Sequence, residues 1–179
     1  MPTWEEILTK INNLACQNQP SPYDTVRYEC LKSLSDYTGR NVIGYYSGWL
    51  TKPNMQNADI NDTDIQGFMS AINGLDYSKG LDLILHTPGG SPTASESIVF
   101  YLRNKFSDIR VIVPQLAMSA GTMIACSANS IVMGLHSSLG PVDPQINGIP
   151  AYNIIKEFEQ AKNDLSHSPQ NIGYWRLIL

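Results

Sequence analysis

Apolar residues first recur along this chain at helical spacing. Trp4, Ile7, Leu8, Ile11 and Leu14 lie three or four positions apart, and Thr3 with Glu6 supplies the T-x-x-E pattern that satisfies backbone donors at a helix start. The spacing predicts an amphipathic first helix. A second follows over residues 23 to 37, with Val26, Cys30, Leu31 and Leu34 on one face and Gly39 as its stop. The period then changes. Residues 41 to 46, 81 to 86 (LDLILH), 109 to 114 (IRVIVP) and 130 to 134 (SIVMG) are short apolar runs, the latter three nearly continuous, as in strands covered on both faces of a parallel sheet. Helical patterns separate them. One carries Ile65, Phe68, Met69 and Ile72 after a polar loop, TKPNMQNADINDTD; the others read SESIVFYLRNKF and MSAGTMIACSA. Beyond the loop GPVDPQINGIP, a helix over residues 151 to 165 and an apolar segment over 174 to 179 close the chain. This alternation of strand and helix makes the fold α/β with a mostly parallel sheet.

Composition adds limits rather than a function. With 179 residues and 42% hydrophobic content, and a mean hydropathy of −0.17, the chain suits one soluble domain over 1–179 that opens with a helical segment over 1–38. A net charge of −4 without a Lys/Arg cluster argues against a nucleic-acid or anionic-membrane partner. The opening MPTWEEILTKINN carries charges where a signal peptide needs an apolar core, and no apolar run reaches the roughly 18 residues of a membrane span. The expected compartment is the cytoplasm. Cys16, Cys30 and Cys126 are odd in number and lack metal-ligand spacing, so buried or partly buried free thiols are expected rather than a disulfide framework or zinc site. Asp59, Asp62 and Asp64 lack the glycine and terminal glutamate of a calcium loop and read as acids at a helix start. Nothing calls for a metal or another cofactor. The aromatic cluster Tyr45, Tyr46 and Trp49 fits either a strand end or one wall of a peptide groove.

Two short stretches carry chemistry. Strand LDLILH runs into Thr87-Pro88-Gly89-Gly90, where the absence of side chains exposes backbone N–H groups to an approaching oxygen. Neither nucleotide-binding glycine motif is present. After the next strand, Ser119 opens a helix among the small residues Ala120, Gly121 and Thr122. A nucleophilic hydroxyl needs room for a carbonyl carbon, and the Ala120 N–H would join the glycine amides around an oxyanion. A plain glycine turn and an N-capping serine are the alternative reading.

Taken together, the blocks YTGRNVIGYYSGWL, GLDLILHTPGG, IRVIVPQLAMSAGTMIA and SSLGPVDPQ resemble the Clp-protease-like superfamily of Clp peptidases, signal peptide peptidases and crotonases. Within it they look most like the serine dehydrogenase proteinase, or SDH, family of Clp-fold serine proteases. The resemblance covers residues 37 to about 165. It implies a Clp/crotonase-like fold of repeated ββα units, serine endopeptidase activity on a peptide or protein substrate, and assembly into a homo-oligomer. It also implies roles: Ser119 as nucleophile, with Gly90, supported by Gly89, and Ala120 around the oxyanion. The apolar end WRLIL is shorter than the family leads one to expect. A crotonase-like acyl-CoA enzyme and a catalytically silent interaction module are the rival readings.

The base departs from the Clp pattern. Where Clp peptidase has its histidine, the segment SSLGPVDPQ holds Asp143 and none. Of the three histidines, His86 precedes the glycine turn, while His136 and His167 fall in polar segments. Signal peptide peptidases pair serine with lysine, which in single-repeat members comes from a downstream helix; here such a helix carries Lys156 and Lys162. A lysine serves as base only if burial or a nearby positive charge drives it toward neutrality. Resemblance to the spacing of a related serine–lysine peptidase favours Lys162, with Lys156, His86 and Asp143 as alternatives.

Overall fold

The computed structural model describes residues 2–17, 21–52, 54, 56–143, 145–146 and 149–171. These fall into two compact units, Met1–Gly140 and Pro141–Leu179. The apolar segment expected over 174–179 lies outside the described residues.

The first unit opens with helix α1 (Trp4–Cys16), started by the capping box that the sequence suggests: the Thr3 hydroxyl accepts the Glu6 N–H at 3.3 Å, and the Glu6 carboxylate accepts the Thr3 N–H at 2.7 Å. Helix α2 (Pro22–Thr38) stops at Gly39, whose φ of +68° a glycine adopts without strain and whose N–H closes on the Ser35 carbonyl. Then come β1 (Asn41–Tyr46), α3 (Asp64–Ile72), β2 (Leu81–His86), α4 (Pro92–Lys105), β3 (Ile109–Val113), β4 (Leu116–Ala117), α5 (Ala120–Cys126), β5 (Ser130–Met133) and β6 (Ser138–Leu139). Helix α4 starts on Ser91, whose hydroxyl accepts the Ala94 N–H, with Pro92 as its first residue.

Four strands form an all-parallel sheet in the order β1-β2-β3-β5. Leu81, Leu83 and Leu85 of β2 are fully buried, as are Val111 of β3 and Ile98 of α4, and Leu102, Phe106 and Ile124 are nearly so. Each such side chain contributes about 1.5–3 kcal/mol relative to exposure, so the continuous apolar runs explain why this sheet forms. Its N-terminal end is fastened by charge. Asp82, fully buried inside the run LDLILH, accepts from Arg40 Nε at 2.6 Å and from Arg110 Nε at 3.0 Å, and Arg40 Nη2 reaches the Leu81 and Asp108 carbonyls.

A second, smaller layer explains the ββα repeat. After β1 the chain returns through Ile60 before α3; after β2 it continues through Thr87–Gly90 before α4; after β3 it makes β4 before α5; after β5 it makes β6. These second pieces pair side by side in parallel: Ile60 with Gly90, Thr87 with Ala117, and Leu116–Ala117 with Ser138–Leu139. Every repeat is therefore a core strand, a short second-layer strand and, in the first three, a helix.

Two expectations are corrected. All three cysteines are exposed rather than buried or partly buried; on α2, for example, only Val26 of the expected apolar face is buried. Strand β5, the last of the sheet, is exposed along its length rather than covered on both faces.

In the second unit, β7 (Gln145–Ile146) and β8 (Ile149–Pro150) form a short antiparallel pair where the sequence suggests only a loop, and α6 (Ala151–His167) follows. No helix among the described residues is long and apolar enough to cross a membrane.

Candidate active site

The glycine turn and Ser119 meet at the C-terminal ends of β2 and β4. Ser119 is the residue before α5, but it is no ordinary cap: its side chain makes no capping hydrogen bond, its hydroxyl has no partner among the described residues, and it is exposed. Its backbone sits at φ +48°, ψ −116°, a conformation that disfavours any residue with a Cβ and costs on the order of 1–3 kcal/mol. The surrounding structure holds it there. Met118 N–H donates to the Thr87 carbonyl at 3.0 Å, Gly121 N–H to the Met118 carbonyl at 2.8 Å, and the Thr122 hydroxyl to the Ala117 carbonyl at 2.7 Å. The Thr122 oxygen in turn accepts the Gly140 N–H, tying the elbow to the end of β6.

Gly89 and Gly90 are required for two different reasons. At Gly89 (φ +99°) a Cβ would stand 2.8 Å from the Ser119 Cβ and 2.6 Å from the Met118 carbonyl oxygen, so the bare backbone leaves room for the serine elbow. At Gly90 (φ +146°) a Cβ would stand 2.4 Å from the backbone N and O of Ile60. The Gly89 carbonyl accepts the Ile60 N–H at 2.7 Å, and because a trans peptide holds its C=O and N–H antiparallel, the Gly90 N–H points away from Ile60. No acceptor within the described residues takes the Gly90 N–H or the Ala120 N–H. The Gly89 N–H, by contrast, donates to Thr87 Oγ1 at 3.1 Å.

His86 lies just before this turn and is 4% exposed. Its ring stands between Tyr46, stacked at 4.9 Å between centroids, and Trp49 at 4.6 Å, while Nδ1 accepts the Leu116 N–H at 3.3 Å. Burial lowers its pKa below the ordinary 6.5. This ring is a packed part of the sheet end. His136 is exposed, and His167 lies exposed on α6 with Nδ1 at 2.8 Å from the Asn163 carbonyl. Lys156 and Lys162 also belong to α6 in the second unit, and both are exposed. Asp143, in the same unit, has a buried Oδ1 that finds no hydrogen-bond donor among the described residues. The structure thus brings together Gly89, Gly90, Ser119 and Ala120 within the first unit.

The acidic loop serves the scaffold. Asp64 Oδ2 accepts the Tyr45 hydroxyl at 2.7 Å and the Asn61 N–H at 2.9 Å, beside Ile60. Burial first, then Asp64, raises the pKa of the Tyr45 phenol far above its ordinary value, so it stays a donor. Sequence reasoning missed Thr87, Ile60 and Thr122, whose parts in the site depend on pairing between distant segments. The threonine before Pro-Gly-Gly was the one available signal, since a hydroxyl there can bond the backbone two residues on.

The repeated ββα units around a parallel sheet define a Clp-like architecture. The sequence profile of the ClpP-like SDH-type serine proteinases matches residues 14–170, and the chain belongs to that family. Two uncharacterized proteins of Methanocaldococcus jannaschii are similar: MJ0137 is 44% identical over 101 residues, 56% of this chain and 35% of its own length, and MJ1495 is 40% identical over 95 residues, 53% and 32%. The matched stretch thus spans about a third of each of those relatives. Among solved structures, a mutant of the 1510-N membrane-bound stomatin-specific protease is 23% identical with a TM-score of 0.48, covering 67% of this chain and 58% of its own. The ClpP catalytic domain of Plasmodium falciparum is 15% identical with a TM-score of 0.40, covering 54% and 57%.

Proposed function

We propose that this protein is a serine endopeptidase in which Ser119 is the nucleophile. The observation that carries the reading is the exposed, unbonded Ser119 hydroxyl, held at positive φ directly against Gly89. In the proposed cycle Ser119 Oγ attacks a peptide carbonyl carbon, and its proton passes to a general base. The Gly90 and Ala120 N–H groups hold the oxyanion, where aligned donors stabilise developing charge without reorganising. Gly89 contributes clearance rather than an amide, since its N–H is engaged by Thr87. Collapse of the intermediate breaks the C–N bond; the base returns the proton to the leaving amine, and water then hydrolyses the ester to free Ser119.

Lys162 is the proposed base, on the family pattern of a lysine from a downstream helix; it is exposed in the single chain, and the burial that a neutral lysine needs would come with assembly. The substrate is a peptide or protein, no metal or other cofactor takes part, and the active form is a homo-oligomer. The test is labelling of the purified protein with a fluorophosphonate, followed by mass mapping of the modified residue. Modification of Ser119 supports the proposal. No modification, together with no hydrolysis of casein or peptide libraries, would overturn it.

A further inference from the structure

We propose that Thr87 is a positioning residue for this reaction, its side chain fixing the glycine turn against the serine elbow. The inference rests on the peptidase reading above. Thr87 is fully buried and touches both the glycine turn and the segment that carries Ser119. Its N–H donates to the Leu116 carbonyl at 3.0 Å and its carbonyl accepts the Met118 N–H at 3.0 Å, so the residue just before Ser119 is registered on Thr87. Its Oγ1 accepts the Gly89 N–H at 3.1 Å. Its methyl occupies the space beside Gly121, where an added Cβ would stand 2.4 Å from Thr87 Cγ2.

The hydroxyl has a specific task. Gly89 is held at both ends: Thr87 Oγ1 takes its N–H, and Ile60 N–H holds its carbonyl. The second bond orients the peptide that carries the Gly90 N–H; the first fixes the preceding peptide plane and so the positive φ of Gly89. Without the Thr87 acceptor the plane between Pro88 and Gly89 is free to rotate, and Gly90 moves with it relative to Ser119. The backbone bonds of Thr87 are available to valine, serine or alanine, whereas this one belongs to the hydroxyl alone. The loss therefore falls on the bond-making step, because misplacement of a reacting group by about 1 Å costs about 10²-fold in rate.

The experiment measures the rate and affinity of fluorophosphonate labelling in the intact protein, alongside thermal unfolding. In that reaction the Ser119 Oγ–P bond forms, the P–F bond breaks with loss of fluoride, and the hydroxyl proton passes to the base. Thr87→Val keeps the shape and removes the acceptor; the expected result is a maximal labelling rate lower by 10- to 100-fold, the order of that positional cost, with little change in the concentration at half-maximal rate. Thr87→Ser and Thr87→Ala both lose the methyl and differ only in the hydroxyl. Thr87→Ser is expected to label at least about tenfold faster than Thr87→Ala, and this pair decides the matter even if the valine variant fails to fold. Equal rates for the serine and alanine variants would overturn the positioning role while Ser119 labelling of the wild type stands. Absence of wild-type labelling would defeat the peptidase reading and this inference with it.

Discussion

Gly89 and Ser119 are packed so closely that a Cβ on the glycine would lie 2.8 Å from the Ser119 Cβ. Contacts below about 3 Å between carbons force something to move, and here the backbone of Met118 blocks the other direction at 2.6 Å. Gly89→Ala is therefore expected to displace the serine elbow and reduce peptide hydrolysis by at least about 10²-fold. It should also lower stability, by roughly 1–3 kcal/mol from the strained φ alone. Activity assay and urea denaturation of the same preparation check both. Wild-type turnover in this variant would show that the contact does not set the nucleophile's place.

Ser119 itself carries strain that a glycine would not. At φ +48°, ψ −116° the serine Cβ is the source of the cost, so Ser119→Gly removes it at the expense of a more flexible unfolded chain. The net expectation is a gain of about 1 kcal/mol in unfolding free energy, accompanied by complete loss of hydrolysis. Ser119→Ala should also be inactive but no more stable than wild type. An active glycine or alanine variant would remove Ser119 from the chemistry.

The parts of this fold that rest on side-chain type were legible in the sequence. The runs LDLILH and IRVIVP became the interior strands β2 and β3, Thr3 and Glu6 capped α1, and Gly39 ended α2. Gly89 and Gly90 likewise marked a turn at positive φ, whereas the nearness of Ser119 to them was expected from the family resemblance, since its own strained backbone would favour glycine. The second layer was hidden. Its rungs, Ile60 with Gly90 and Thr87 with Ala117, are single-residue pairings made by main-chain groups that every residue possesses. Burial of Asp82 was equally invisible, since it depends on Arg40 and Arg110, 42 and 28 residues away. The cysteines misled for the converse reason. Cys126 shares the exposed face of α5 with Met123, whereas Cys30 lies one turn from buried Val26 on α2 and is exposed because that face is only partly covered, Leu31 and Leu34 being half-buried.

His86 supplies a pH dependence whose sign follows from its surroundings. Burial lowers its pKa in the folded protein below the 6.5 of the free side chain, so on acidification the unfolded chain takes up a proton before the native ring does. Its contribution is present in full above about pH 6.5 and is lost as the pH falls from there through the lower folded value. Protonation at Nδ1 would also remove the acceptor for the Leu116 N–H. Urea denaturation at pH 7.5 and 5.0 should show a smaller acid-side loss for His86→Phe, which keeps a ring between Tyr46 and Trp49, than for wild type. Equal losses in the two proteins would assign the effect elsewhere.

Asp82 tests whether stability and chemistry are separable. It lies at the N-terminal end of the sheet, whereas Ser119 follows the C-terminal end of β3 and β4. Replacing Asp82 by alanine leaves Arg40 and Arg110 without their shared buried partner, at an expected cost of about 3 kcal/mol, the lower end for a broken buried pair because both guanidiniums retain some access to water. Specific activity of the folded fraction should remain within about twofold, since substitutions remote from a site leave its free energies nearly additive. A large fall in labelling rate without a fall in stability would contradict that separation.

The base is the sharpest remaining test. If Lys162 accepts the Ser119 proton, Lys162→Ala should reduce both peptide hydrolysis and fluorophosphonate labelling by about 10²–10⁴-fold, the usual contribution of a general base. Substrate binding should be little changed, because the lysine is needed in the transition state rather than for capture. Only a neutral amine can take a proton, so hydrolysis should rise with pH along the limb that the base controls, and that limb should vanish in the variant. Lys156→Ala serves as the companion on the same helix, six positions earlier. Should it abolish activity while Lys162→Ala is harmless, a serine–lysine pair still operates but with the other lysine. If neither matters, Asp143 and His86 are next, and they separate cleanly: Asp143→Asn removes a carboxylate in the second unit, whereas His86→Phe preserves the stack with Tyr46 and Trp49 and removes a titratable nitrogen. Retention of the full pH-dependent rate in all four variants would mean that a different titrating group receives the proton, which would defeat the Ser119–Lys162 dyad while leaving Ser119 as the nucleophile.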